Sequence, residues 1–134
     1  MDNMTKLVDG IVEINGVKFV NTTPHDIIVS NTDSTFKEII PKSGFVAKYK
    51  DVVAKVSPAK KQLKEKGVLY NKHTIIGDIE IQTILENFVS SHDDVVLIGT
   101  SKAANAYRGL IIGLERHHSY KHERVYNIDD LIIY

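Results

Sequence analysis

The dipeptide Asn15-Gly16 stands between Ile11, Val12 and Ile14 on one side and Val17 and Phe19 on the other. A two-residue hairpin needs left-handed backbone at its centre, and Asn-Gly supplies that at the lowest steric cost. GIVEINGVKFVN therefore predicts a pair of antiparallel strands. Short β-branched runs continue beyond it. DIIVSN and FKEIIP read as strands, the second stopped at Pro41. FVAKYKDVVAKV reads as a strand with a break at Lys50-Asp51, and VLYNKHTIIGDIEIQTI as a strand pair turning or bulging at Gly77-Asp78.

Helical signals are fewer. Ser57-Pro58 offers an N-cap and a first helical position, but AKKQLKEKG is polar on nearly all sides and predicts at most a marginal exposed turn of helix. QTILENFVSS places Ile84, Leu85, Phe88 and Val89 on one helical stripe. Val95 to Ile98 form a continuous apolar run, the mark of a strand covered on both faces. KAANAYRG then reads as a short helix ending at Gly109, LIIGLERH as a strand, and LIIY as a last short strand after a polar segment. The sum is roughly seven or eight strands and two or three helices, with strands mostly first, which predicts an α+β fold. At 134 residues the chain predicts a single domain, 1–134, with a mostly antiparallel sheet.

Charge is balanced overall but divided along the chain. Pro41 to Lys66 holds eight lysines against Asp51 and Glu65, whereas Thr74 to Asp94 holds five acids and no Lys or Arg. The basic block reads either as a solvated face or as a face for an anion. It lacks arginine, and only Phe45 and Tyr49 lie near it, so nucleic acid is not an expected partner. The first residues lack the apolar core of a signal peptide, and no run approaches the length of a membrane span, so a soluble cytoplasmic protein without membrane contact is expected. Cysteine is absent, which excludes disulfides and thiolate metal sites.

Several segments carry candidate chemistry. Gly99-Thr100-Ser101 follows the buried run and opens a helix, where Thr100 and Ser101 suit either a plain cap or a phosphate; the P-loop pattern is absent. His117, His118 and His122 in RHHSYKH lack the H-E-x-x-H arrangement, so a solvated or anion-facing loop with Arg116 and Lys121 is expected and no metal. There is no G-x-S-x-G, and Asp93-Asp94 and Asp129-Asp130 are adjacent pairs whose side chains would diverge on a strand. No catalytic set and no cofactor are expected.

The last third gathers all three arginines and four of the six tyrosines. Tyr107, Arg108, Arg116, Tyr120, Arg124 and Tyr126 offer aromatic faces for a base and guanidinium groups for phosphates, although Tyr107 and Tyr126 also fit a half-buried core role. In HERVYNIDD, Arg124 and Tyr126 fall on one strand face, and Asp129 is placed either to accept from a ribose hydroxyl or to pair with Arg124. At the bend NTTPH, Pro24 keeps Thr23 extended while Asn21 and the threonines satisfy local backbone groups. Thr23 and His25 either serve that turn alone or also line a ligand site.

Three blocks in order, VKFVNTTPHDIIV, IIPKSGFVAKY and VVLIGTSKAANAY, resemble a family of small bacterial and bacteriophage proteins. The pattern is a strand, N-[LT]-T-P-H, a strand, a P-x-S-G turn, and a later strand–small-residue–helix unit. The resemblance covers about half of the chain, with Thr22 where Leu is usual. It extends to the phage anti-Thoeris sponges, small oligomers that hold NAD-derived messengers such as glycocyclic ADP-ribose, or cyclic oligonucleotides, without cleaving them. It implies a homo-oligomer that sequesters a small nucleotide messenger, with sites between subunits. The alternatives are a nucleotide-processing hydrolase using His25 or His117, and a protein that binds a host protein or nucleic acid through its lysine block.

Overall fold

A computed structural model describes residues 2–134. Its elements in chain order are α1 (Asn3–Asp9), β1 (Val12–Ile14), β2 (Val17–Asn21), β3 (Ile27–Ser30), β4 (Lys37–Ile40), β5 (Tyr49–Val56), α2 (Lys61–Glu65), β6 (Tyr70–Gly77), α3 (Ile79–Ser91), β7 (Val95–Gly99), α4 (Ser101–Ala106), β8 (Ile111–Arg116) and β9 (Val125–Ile132). The fold is α+β. Seven strands form one sheet in the order β1-β2-β7-β8-β9-β3-β4, and β5 and β6 form a separate ribbon. The pairs β2–β7, β7–β8 and β9–β3 are parallel; the rest, including the ribbon, are antiparallel.

Alternation along the strands sorts the apolar side chains onto two faces. Val20, Val95, Leu97 and Ile111 face α1, α3 and α4, where Leu7, Leu85, Phe88 and Tyr107 complete one core. Phe19, Ile98 and Leu114 face the other way and pack with Ile27, Val29 and Ile40. That second cluster joins strands from opposite ends of the sheet, so the sheet curls. Its ends meet where Asn21 bridges Lys42 and where Asn21 Nδ2 donates to the Ile40 carbonyl at 3.0 Å. The concave interior is filled by side chains, and one end of it opens beside the β2–β3 bend.

Asn15 and Gly16 have φ of 51° and 83°, as the hairpin turn requires. Elsewhere local reading is corrected. The strand pair expected across Gly77-Asp78 is one strand and one helix: the Asp78 carboxylate accepts from Glu80 N and Ile81 N, capping α3. β5 runs unbroken through Lys50-Asp51 and begins only at Tyr49, since Phe45 and Ala47 are drawn into the core. α2 starts at Lys61, not at Ser57-Pro58, and has no side-chain cap. α1 was not expected from sequence; Asp2 caps it by accepting from Thr5 N at 2.8 Å. The final strand is also longer than LIIY, reaching back to Val125.

The ribbon leaves the body at a fixed hinge point. Tyr107 hydroxyl donates to the Lys48 carbonyl and accepts from Asp78 N at 2.9 Å, and a Cβ at Gly77 would meet the Tyr107 ring at 2.8 Å. Asp51 then ties the ribbon to α4: its Oδ2 accepts from Lys102 Nζ at 2.8 Å, and its Oδ1 lies 2.9 Å from His73 Nδ1. The Lys102 hydrogen bond, and then that of His73, holds the Asp51 carboxyl below its ordinary range, while Asp51 raises Lys102. A depressed carboxylate stabilises the fold above its unfolded pKa and loses that contribution as pH falls through the folded value. Lys102→Ala should therefore move the Asp51 titration upward, measured by carboxyl NMR shifts. An unmoved titration would leave His73 as the sole cause.

Candidate functional site

The bend Asn21–Asp26 follows from one buried side chain. Asn21 is fully buried, and its Oδ1 accepts from Thr23 N at 2.8 Å and lies 2.6 Å from Thr23 Oγ1. Its Nδ2 donates to the carbonyls of His25 at 2.7 Å and Ile40 at 3.0 Å. Thr22 hydroxyl donates to the Ile98 carbonyl at 2.9 Å, fastening the bend to the end of β7. Gly99 makes this close approach possible, because a Cβ there would lie 2.9 Å from both Thr22 Oγ1 and an Ile111 methyl. The polar groups of the turn are thus consumed internally, while Pro24 and His25 stay exposed.

Those exposed residues wall a cleft of about 520 Å³ at the open end of the curled sheet. Thr23 to Ile28 form one side, Gly99-Thr100-Ser101 another, and Leu114, Arg124 and Tyr126 complete it. The volume falls in the range of small-ligand sites. A second hollow of about 400 Å³ shares Thr23, Pro24 and Thr100 and continues to Lys48 and Tyr49.

Charge within the cleft is simple. Arg124 is exposed and has no hydrogen-bond or ion-pair partner among the described residues. Its two candidate carboxylates are occupied: Glu123 pairs with Lys37, and Asp129 accepts from Thr32 N at 2.9 Å. Asp26 is the cleft's carboxylate, and it accepts from Lys42 N at 2.9 Å. Tyr126 is half-buried and packs against the inner core, leaving part of its ring to the cleft.

The chain matches no protein-family model, no curated protein and no solved structure.

Of the residues singled out in the sequence, Thr23, His25, Thr100, Ser101, Arg124 and Tyr126 line this one cleft. Thr23 hydroxyl is engaged by Asn21 and by the His25 carbonyl at 2.8 Å, so its place there is structural. Thr100 hydroxyl accepts from Ala103 N at 3.1 Å as the cap of α4. The other four lie elsewhere. Tyr107 is a buried anchor of the ribbon, Arg108 is held by Asn105 at 2.8 Å, and Arg116 donates to the Glu123 carbonyl at 3.2 Å. Asp129 caps the turn at Thr32 and does not orient Arg124.

His117 is buried away from the cleft. Its Nε2 lies 2.7 Å from the Asn31 carbonyl and its Nδ1 accepts from Ser119 N at 3.1 Å, so the proton sits on Nε2 and the ring braces a loop. Among the described residues no group of three or more His, Asp or Glu side chains is arranged to hold a metal ion. Sequence reasoning missed Asp26, which directly follows the TPH motif, and Leu114, which only strand pairing brings to the cleft.

Proposed function

We propose that this chain is a non-catalytic binding protein that sequesters a small nucleotide-derived messenger in the cleft at the β2–β3 bend. The observation that carries the reading is Arg124: an exposed guanidinium without an internal partner, sharing a ligand-sized cleft with the ring of Tyr126. A guanidinium grips phosphate through two parallel N–H···O bonds, and a tyrosine ring offers a face to a base. Ser101 and His25 also line the cleft and offer further polar groups. Ile27, Ile28 and Leu114 give an apolar floor that excludes water from those contacts.

The resemblance to phage anti-Thoeris sponges supplies the class of ligand: glycocyclic ADP-ribose or a cyclic oligonucleotide, held and not cleaved. The test mixes the protein with each messenger, measures the free ligand, and then denatures the protein by heat. Stoichiometric uptake followed by release of intact messenger is the expected result. Conversion of messenger in molar excess over protein would instead identify a nucleotide-processing hydrolase.

A further inference from the structure

The hollow beside the cleft repeats the cleft's chemistry. About 400 Å³ in volume, it is lined by Val46, Ala47, Lys48 and Tyr49 where the chain enters β5, and by Ala103 of α4. Lys48 is exposed, and its ammonium has no hydrogen-bond or ion-pair partner among the described residues. No Asp or Glu among the described residues lines the hollow, so that charge has no counterpart there. Tyr49 is half-buried and packs partly on the core of α1, α3 and α4. An unpaired cation and a half-buried tyrosine on an apolar lining are also what Arg124 and Tyr126 supply in the cleft.

The two hollows adjoin. Thr23, Pro24 and Thr100 line both, and Pro24 and Thr100 are exposed, so the boundary between them reaches the surface. Backbone bonds brace the far side of that boundary. Ala47 N donates to the Thr22 carbonyl at 3.1 Å, tying the entry of β5 to the bend that carries Pro24. The Tyr107 hydroxyl donates to the Lys48 carbonyl, which fixes the same segment to the end of α4. At about 520 Å³ and about 400 Å³, each hollow lies in the lower part of the range for small-ligand sites, roughly 300–1,000 Å³, and suits one nucleotide.

We infer that the hollow at Lys48 and Tyr49 is a second subsite for the same ligand, and that the ligand class is a dinucleotide. The inference rests on the reading of the Arg124 cleft as a nucleotide site and narrows it. One base lies against each tyrosine and one phosphate group against each cation. Arg124 fixes its phosphate through a planar fork, whereas Lys48 acts as a point charge and accepts a wider range of approach. A messenger with a single base, such as glycocyclic ADP-ribose, leaves one tyrosine unused; a dinucleotide engages both. Once one half is seated, the other binds at high effective concentration, which raises affinity by roughly 100-fold to 10,000-fold without any further contact.

Titration calorimetry with adenosine monophosphate, glycocyclic ADP-ribose, linear diadenylate and cyclic diadenylate tests the second subsite. At least one of the dinucleotides should bind about 100-fold more tightly than the mononucleotide. Lys48→Ala, on an exposed side chain, should shrink that advantage by about tenfold or more, and so should Tyr49→Leu, with circular dichroism as the check on folding. Arg124→Ala should weaken every nucleotide that binds. Acetylation of Lys48, read by mass spectrometry, should slow when the dinucleotide is bound, while that of Lys66, beyond α2 at the far end of the ribbon, should not. A dinucleotide held no more tightly than the mononucleotide, or an advantage untouched by Lys48→Ala, overturns the second subsite and leaves the Arg124 cleft standing. So does tight binding of glycocyclic ADP-ribose with neither dinucleotide bound. Binding of none of the four, or binding indifferent to Arg124→Ala, overturns both readings.

Discussion

Arg124→Ala should leave the melting temperature nearly unchanged and weaken messenger binding by roughly 2–5 kcal/mol, the range for removing one partner of a desolvated charge pair. That corresponds to a Kd raised about 30-fold to several thousand-fold. Stability is spared because the side chain is exposed and makes no internal hydrogen bond or ion pair among the described residues. Surface substitutions of this kind generally stay within about 0.5 kcal/mol. Affinity suffers because the phosphate loses both its charge partner and a geometrically matched donor pair.

Arg124→Lys separates those two contributions. It keeps the charge and loses the planar fork, so its affinity should fall between wild type and the alanine variant. Titration calorimetry reads the affinity and circular dichroism the melting. A folded Arg124→Ala protein that binds as tightly as wild type would remove the cleft from consideration as the phosphate site. Arg108 and Arg116, both exposed, would be tested next.

The parts of this fold that were legible in the sequence are those decided within a few residues. Asn15-Gly16 announces its hairpin because few other dipeptides tolerate positive φ at both positions. Val95 to Ile98 announces β7 because alternate residues serve two different cores, so all of them are apolar. The junction at Asp78 is harder. Ile75, Ile79 and Ile81 fall on a two-residue period while Ile81, Ile84, Leu85 and Phe88 fall on a helical one, and the decisive feature is a capping carboxylate. α1 is short, and its cap, Asp2, lies at the edge of the described chain.

Strand order beyond the β1–β2 hairpin was not legible. β2 lies beside β7 although Thr22 and Ile98 are separated by 76 positions, and no local pattern encodes such a partner. The cleft shows both sides of this. NTTPH and GTS were legible as polar turns after strands, and β2 and β7 are parallel neighbours, so their following turns fall at the same end of the sheet. Arg124 and Tyr126 reach that end because β9 enters the sheet there, running antiparallel to β8 and parallel to β3. Tyr107 belonged to the composition-based cluster and Asp129 to the reading of HERVYNIDD around Arg124, but the hydrogen bonds each makes with distant backbone hold them elsewhere.

Asn21→Ala should destabilise the protein by roughly 3–5 kcal/mol, a loss that marks a broken buried network. Asn21 is fully buried at the seam where the sheet's two ends meet, and its side chain serves four groups: Thr23 N, Thr23 Oγ1 and the carbonyls of His25 and Ile40. Alanine removes the common partner and leaves the buried Thr23 N without one, which costs more than the net worth of that bond, while Thr23 Oγ1 and the His25 carbonyl keep each other at 2.8 Å. Thr22→Val is the internal comparison. It removes one hydroxyl bond, to the Ile98 carbonyl, whose oxygen still accepts from Thr22 N at 3.0 Å, so the expected loss is about 1 kcal/mol. Asn21→Asp retains acceptors but removes both donated bonds and buries a charge against two carbonyl oxygens, so it should be at least as damaging as alanine. Chemical denaturation gives the stabilities. The folded fraction of Asn21→Ala should also bind messenger more weakly, although Asn21 itself is inaccessible, because the same four bonds hold Pro24 and His25 against the cleft. A loss of stability below about 1 kcal/mol would show that the bend keeps its shape without the asparagine.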